Sequence, residues 1–333
     1  MAPLQDHQVE KLLDEASKHN NFQDLEKFLQ NESKEETTVK CSRQFMTKLD
    51  KLFIREMDLG NVDHACLVLT VLHKYGETLV FPGGGGMSVM VAQGFVKKMV
   101  QWFDKARKLW EEAGSSRNET MMKLAEDYFD ALMVVCESCK EGIYEVTEAL
   151  LSHIGKLASD AQINIMIQKE AARKLNAILE KIPIELKKKK KILSSQEASS
   201  MMSAVANQIL RGGDYDLQVS LMEALCRMAS PVQRNQLADS WFTMTFVSSA
   251  FKKIKDPEFE TDCRKFLNMV NGMQGDGRSV YSYPCLEAFL DKHELLMPED
   301  KNLEAFWIDF NLGSQSMSFY FCVADKKAQV MTL

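Results

Sequence analysis

The stretch DYDLQVSLMEALCRMA, residues 214–229, decides the fold class of this chain. At 100° per residue its apolar side chains cover most of the helix surface. The narrow polar stripe that remains includes Glu223 and Arg227, at the i,i+4 spacing of an ion pair. Gly212-Gly213 ends the preceding segment, and Asp214 is a suitable N-cap. A helix this apolar needs neighbours on most sides, so we expect an inner helix of a layered helical fold.

Similar helices recur along the chain. Residues 167–179 align with residues 217–229 without a gap, so that Leu175 matches Leu225. The same position is taken in other segments by Leu132, Leu267 and, in a weaker copy, Leu69. Recurrence at roughly 40 to 50 residues is typical of armadillo and HEAT solenoids, whose copies stack into one continuous core. Gln218 lies within the apolar arc, so it needs hydrogen-bond partners inside the fold.

The composition is that of a soluble globular protein. Of 333 residues, 45% are hydrophobic and 26% are charged, and the net charge of −6 argues against a general nucleic-acid coat. No apolar run reaches the roughly 18 residues of a membrane span, and the first residues lack the profile of a signal peptide. We therefore expect no membrane partner, and a reducing compartment for the eight cysteines.

The sequence pattern changes after Pro298. Residues 305–312 and 316–323 alternate apolar and polar side chains, which predicts a β-hairpin. We assign residues 1–298 to an all-α, armadillo/HEAT-like helical solenoid and residues 303–333 to the beginning of a small β domain. Leaving the aromatic side of the hairpin exposed to solvent is unfavourable. We therefore expect the hairpin to dock on the last helices of the solenoid, near residues 281–296, or to pair with another chain along its open edges. Residues 326–333 leave room for one more short strand.

No motif predicts catalysis, a cofactor, a metal or a small-molecule substrate. Gly83–Gly86 lacks the following Lys-Ser/Thr of a phosphate-binding loop, so we interpret it as a linker. Cys136 and Cys139 have CxxC spacing without a second pair of ligands, and Cys136 continues an apolar run, which favours a core position. The histidines include no HExxH pair, and no nucleophile elbow is present. We expect that the chain is not an enzyme.

A run of lysines follows Pro183. It comprises Lys187, Lys188, Lys189, Lys190 and Lys191. Charge runs are usually solvated loops, which is the favoured interpretation. The alternatives are a nuclear import signal and a phosphate contact, and the latter would support local nucleic-acid or chromatin binding through a basic patch.

Four segments carry a resemblance to a known family. They are GDYDLQVSLMEALCRM (213–228), FETDCRKFLNMVNG (259–272), YPCLEAFL (283–290) and FWIDFNLGSQSMSFY (306–320). The chain resembles the N-terminal region of the synaptonemal complex protein 2 family over nearly its whole length, with the greater likeness to the 2-like branch. The lysine run does not match a fixed feature of that family.

The resemblance implies an armadillo-like domain followed by a β domain of pleckstrin-homology type, similar to the middle domain of Spt16. It implies a non-enzymatic, protein-binding scaffold role in the lateral element of the synaptonemal complex. The expected partners are other meiotic axis or centromere proteins, and the expected location is the axes and centromeres of meiotic chromosomes in germ-cell nuclei. Chromatin is the alternative partner.

Armadillo repeats that hold peptides do so with an asparagine just after the key leucine of the inner helix. Asn176 and Asn268 match that position, whereas Met133 and Cys226 depart from it, so the sequence does not predict a regular peptide ladder. Together with two arginines on the inner helices, the candidate protein-binding residues are Arg173, Asn176, Arg227 and Asn268. Solvation or packing between repeats explains these polar residues equally well.

Overall fold

The computed structural model describes residues 7–30, 38–183, 195–290, 292–297, 305–321 and 329–332. The chain divides into two compact units. The first comprises residues 1–154 and 162–192, and the second comprises residues 155–161 and 193–333. The first unit is almost entirely helical, and the second combines helices with a sheet.

The helices of the first unit follow one another with short connections. They are α1 (Gln8–His19), α2 (Gln23–Gln30), α3 (Phe45–Asp58), α4 (Val62–Tyr75), α5 (Met87–Ala92), α6 (Phe95–Ala113), α7 (Glu119–Ser138), α8 (Lys140–Ala158, of which residues 155–158 belong to the second unit) and α9 (Ile165–Lys181). Two short parallel strands, β1 (Val39–Lys40) and β2 (Leu79–Val80), pair with each other. Asn118 and Asn164 cap α7 and α9, each through a side-chain oxygen that accepts a backbone N–H.

Helix α7 packs between α4 and α9, as the inner helix of a stack does. Leu69, Leu132 and Leu175, which share one position in the sequence repeats, are all fully buried on these three helices. The repeats identified from the sequence therefore correspond to successive inner helices.

A buried carboxylate fixes the turn between α3 and α4. Glu56 is fully buried and accepts hydrogen bonds from Asn61 Nδ2 at 2.9 Å and Arg55 Nε at 2.7 Å, with His64 Nδ1 3.0 Å away. Burial raises the pKa of Glu56, but these hydrogen bonds outweigh it and hold the pKa below its ordinary value. Arg55 also donates to the carbonyl oxygens of Ala16 and Ser17, and so ties the turn to the end of α1.

The second unit begins with five helices in the described residues. They are α10 (Gln196–Arg211), α11 (Tyr215–Met228), α12 (Pro231–Trp241), α13 (Thr245–Phe251) and α14 (Phe259–Gly272). Helix α11 is the stretch from which the sequence analysis started. Asp214 caps it by accepting from Leu217 N at 3.0 Å, and Arg227 pairs with Glu223 at 2.7 Å. Both expectations for this helix are confirmed.

Gln218 finds its partners within the helical layer. Its side-chain amide exchanges two hydrogen bonds with the amide of Asn271 on α14, at 2.8 and 2.9 Å. Its Nε2 also lies 2.8 Å from the carbonyl oxygen of Ile209 on α10. The buried amide thus joins three helices, as a polar group inside an apolar arc requires.

An antiparallel sheet follows α14. Its strand order is β3-β6-β7-β8, made from β3 (Val280–Cys285), β6 (Phe306–Asn311), β7 (Ser316–Phe321) and β8 (Gln329–Thr332). A separate pair joins β4 (Ala288–Leu290) to β5 (His293–Leu295). The predicted hairpin is β6–β7, with Asn311 opposite Ser316. The extra strand anticipated in residues 326–333 is β8, paired with β7.

The expectation of helices near residues 281–296 is wrong. This segment supplies β3, β4 and β5, so the sheet draws its first strand from the range assigned to the solenoid. Val280, Tyr281 and Tyr283 favour a strand. Pro284 fits there because β3 pairs with a strand on one side only among the described residues, and Pro lacks the N–H that a second neighbour would need.

We predict that Leu225→Ala destabilises the second unit by about 2–5 kcal/mol, because the leucine is fully buried on an inner helix. Chemical denaturation followed by circular dichroism measures this change. Leu286→Ala is the control, since Leu286 is fully exposed and surface changes stay within about 0.5 kcal/mol. A loss below about 0.5 kcal/mol for Leu225→Ala would mean that α11 is not an inner helix.

Candidate protein-interaction surfaces

Arg173 and Asn176 lie three residues apart on α9, yet their environments differ. The side chain of Arg173 is 65% exposed, and its guanidinium donates to both carboxylate oxygens of Glu170, at 2.7 and 2.9 Å. Asn176 is only 5% exposed. Arg173 is therefore available to a partner at the surface, whereas Asn176 lies in the packed part of α9.

Ion pairs connect α9 to α7 along the surface that carries Arg173. Lys174 lies 2.5 Å from Asp130, and Lys181 lies 3.0 Å from Glu137. Both pairs join residues 44 positions apart, and they are spaced seven residues along each helix. Two turns of helix separate them, so they lie on one face of each helix.

The same surface carries carboxylates close to one another. Partial burial, followed by the nearby carboxylates of Glu170, Asp127 and Asp130, raises the pKa of Glu126. We call the surface formed by Glu126, Asp130, Glu137, Glu170, Arg173 and Lys181 the α7–α9 charged surface. It is suited to a partner with a defined pattern of both charges.

Arg227 and Asn268 belong to the second unit. Arg227 on α11 is partly exposed and bound to Glu223. Asn268 on α14 follows the fully buried Leu267, and its Oδ1 is a buried atom with no hydrogen-bond partner among the described residues. The four candidate residues are thus divided two and two between the units. The lysine run Lys187–Lys191 lies outside the described residues.

The sequence analysis missed a junction between helices and sheet in the second unit. Arg264 on α14 binds the carboxylate of Asp309 on β6 through two nitrogens, at 2.6 and 3.1 Å. Ser282 Oγ on β3 donates to the same carboxylate at 2.5 Å. The Arg264 guanidinium also lies 3.6 Å from the ring centroid of Tyr215 and 5.2 Å from that of Trp307.

The turn between β6 and β7 joins the start of α11 at the same junction. Asn311 Oδ1 accepts the backbone N–H of Tyr215 at 2.8 Å, and Ser314 Oγ donates to the capping carboxylate of Asp214 at 2.6 Å. Gly313 N donates to Gly213 O at 2.9 Å. A Cβ on Gly313 would lie 2.7 Å from Gly213 Cα, so only glycine allows this approach.

The polar side of β6, not its aromatic side, faces the helices. Asp309 and Asn311 are buried there, which corrects the expectation that the aromatic side docks. On the other side of the sheet, Phe306, Phe319 and Phe321 pack with Leu295 of β5. Polar residues in an alternating strand usually face solvent, so periodicity alone could not show this arrangement.

Three buried cysteines of the first unit are held in their neutral form. Burial raises the pKa of the Cys41, Cys66 and Cys136 thiols to about 12, which keeps them protonated. Cys136 is a core residue of α7, as expected from its apolar run.

Within the described residues, no three His, Cys, Asp or Glu side chains cluster in a way that could hold a metal ion. None of the described helices has the length and apolarity that crossing a membrane requires.

Comparison with known proteins identifies two family domains. Residues 8–186 match the synaptonemal complex 2 armadillo-repeat-like domain, and residues 280–332 match the synaptonemal complex 2 Spt16M-like domain. A solved structure titled synaptonemal complex protein is 40% identical, with a TM-score of 0.87 over 100% of this chain and 84% of that one. The helical part is thus armadillo-like, and the antiparallel sheet corresponds to the Spt16M-like domain.

Curated relatives agree with the domain matches. Human synaptonemal complex protein 2 is 45% identical over 94% of this chain and 20% of its own length. Synaptonemal complex protein 2-like of Xenopus laevis is 36% identical over 84% of this chain and 28% of its own. The identity is higher with protein 2 than with the 2-like chain, the reverse of the order expected from the motifs. The chain spans about a fifth to a third of the length of the curated relatives it matches.

We predict that Asp309→Leu destabilises the second unit by about 3 kcal/mol, because it leaves the Arg264 guanidinium without its carboxylate. The double variant Arg264→Leu/Asp309→Leu should lose less, since neither charge then remains. Denaturant unfolding of the chain, both single variants and the double variant gives the coupling energy. The exposed pair Arg117–Glu119 is the control, and Arg117→Ala should change stability by less than about 0.5 kcal/mol. Additive effects of the two changes would contradict coupling at the junction.

Both domain models match this chain, and the solved structure titled synaptonemal complex protein aligns with all of it. The chain therefore belongs to the synaptonemal complex protein 2 family, a family of structural proteins and not of enzymes.

Proposed function

We propose that this chain is a non-enzymatic protein-binding module of the meiotic chromosome axis, in the lateral element of the synaptonemal complex. The match of both family domains carries this proposal. Its partners are other axis proteins or centromere-associated proteins, which it links on meiotic chromosomes in germ-cell nuclei. Binding uses surface complementarity, and no covalent bond is made or broken.

The α7–α9 charged surface is the proposed contact region of the first unit. Arg173 is its most exposed cation among the ion pairs described above, and arginine is enriched at the energetic centres of interfaces. A partner carboxylate could replace Glu170 as its acceptor, in the same two-pronged geometry. The cross-helix pairs hold α7 and α9 in register, so the charge pattern is fixed before a partner binds.

In the second unit, Arg227 and Asn268 are the proposed contacts. Arg227 is again an arginine held by a carboxylate four residues away, which positions it without burying it. Asn176 and Asn268 retain the amide of a peptide-binding ladder, but the burial of Asn176 favours a packing role for that residue. We accordingly place most of the binding energy on the two arginines.

The test is affinity capture from extracts of meiotic cells, with axis and centromere proteins quantified by mass spectrometry. Replacing Arg173, Asn176, Arg227 and Asn268 by Ala should reduce capture of those proteins roughly tenfold, about 1.4 kcal/mol of binding energy. The variant Arg173→Ala/Arg227→Ala keeps the buried amides and separates binding from folding. Arg117→Ala/Asn235→Ala is the matched control, because both residues are exposed and neither lies on α9, α11 or α14.

If the variant with all four substitutions is folded and captures axis and centromere proteins as well as the unchanged chain does, these residues are not part of the interface. Substituting Lys187–Lys191 by Ser in a separate variant addresses the alternative function. Capture of nucleic acid that falls steeply with salt and disappears in this variant would favour chromatin binding over protein binding.

A further inference from the structure

A groove of about 470 Å³ lies beside the start of α1, within the first unit. One side is formed by α1, and the other by residues 42–48, which lead into α3. The volume falls within the roughly 300–1,000 Å³ of ligand pockets. The lining side chains are all polar or charged, and they belong to His7, Glu10, Lys11, Asp14, Ser42, Arg43, Gln44 and Lys48. The groove therefore selects an occupant by charge and hydrogen bonding.

The two carboxylates of the groove are already engaged. Glu10 is buried and accepts hydrogen bonds from Ser42 N at 2.8 Å and from Ser42 Oγ at 2.5 Å. Lys48 Nζ lies 2.9 Å from Glu10 Oε1 and 2.7 Å from Asp14 Oδ2, so one ammonium bridges both carboxylates. Burial raises the pKa of Glu10, but the contacts with Ser42 and Lys48 outweigh it and hold the pKa below its ordinary value. Glu10 is thus a charged and fixed part of the wall.

Lys11 and Arg43 are the cations of the groove that no carboxylate meets. Both are exposed, and neither side chain makes an ion pair or a hydrogen bond with another residue that the structure describes. Glu15, one turn after Lys11 on α1, lies 3.7 Å from His19 Nε2 instead. The two cations border the same groove, one from α1 and the other from the segment before α3.

The charges of the lining do not cancel. Three cationic side chains, Lys11, Arg43 and Lys48, accompany two carboxylates. One positive charge stays unmatched even when His7, whose Nδ1 lies 3.4 Å from Glu10 Oε2, is counted as neutral. The whole chain has a net charge of −6, so this local excess is opposite in sign to the average. A single carboxylate balances it, whereas a string of phosphates would be repelled by the two carboxylates of the wall.

We propose that this groove binds one glutamate or aspartate side chain of a partner protein, between Lys11 and Arg43. The inference rests on the proposed function of the chain as a protein-binding module, and it adds the kind of residue that a partner presents to the first unit. The Arg43 guanidinium can meet a carboxylate through two N–H groups, and the Lys11 ammonium adds a point charge. Lys48 keeps its own two carboxylates, so the wall does not rearrange.

The experiment titrates the whole 333-residue chain with N-acetyl-glutamate methylamide and, separately, with N-acetyl-glutamine methylamide. The two probes have nearly the same shape and differ in charge. Binding is followed through the side-chain Nε–H signal of Arg43 by nuclear magnetic resonance, and Arg43→Lys assigns that signal. We expect the glutamate probe to bind roughly fivefold more tightly than the glutamine probe, since exposed ion pairs are individually weak.

Lys11→Gln should remove most of that preference. Lys97→Gln is the matched control and should retain it, because Lys97 is an exposed lysine on α6 that lines no part of the groove. Equal affinity for the two probes would overturn the proposal, and so would a preference that persists in Lys11→Gln. Failure of both probes to shift the Arg43 signal would also overturn it.

Inorganic phosphate is the third probe. If phosphate shifts the Arg43 signal at lower concentration than the glutamate probe does, the groove takes a phosphate and the proposal is wrong. If the proposal fails while capture of axis proteins persists, the proposed function stands and only the groove is excluded.

Discussion

The pairing of Arg264 with Asp309 is the interaction on which the second unit depends. A guanidinium and a carboxylate are both expensive to remove from water, and each is tolerated here because the other meets it at two points. The pair also gains from Ser282 on the carboxylate and from Tyr215 against the guanidinium. One contact thereby connects α11, α14, β3 and β6.

A second contact region extends this attachment along the sheet. The β6–β7 turn meets the start of α11, where Asp214 both caps the helix and accepts a hydrogen bond from Ser314. Gly213 and Gly313 bring the two backbones together. The helices and the sheet share polar groups that neither could satisfy alone, so we infer that they fold as one unit. A sheet held this way has its opposite, aromatic side in a fixed orientation.

The sequence predicts the helical part well because its signal is local. The apolar arc of α11, the Asp214 cap, the Glu223–Arg227 pair and the recurring inner leucine all follow from 3.6-residue periodicity. The hairpin follows from period 2 in the same way. The junction could not be predicted, because Asp309 and Arg264 are 45 residues apart and nothing local distinguishes a buried polar strand face from a solvated one. Both motifs that meet there, around residues 213–215 and 311–314, were conspicuous in the sequence, but their contact was not.

Amide hydrogen exchange measured on the full chain and on a chain truncated after Leu303 tests the dependence of the helices on the sheet most directly. Truncation removes β6, and with it the partners of Arg264 and of the Tyr215 amide. The account predicts that protection falls together across α11 and α14, with the Tyr215 amide among the fastest to exchange, while α4 and α7 of the first unit keep theirs. Unchanged protection of α11 and α14 in the truncated chain would show that these helices are stable without the sheet, and would contradict the account.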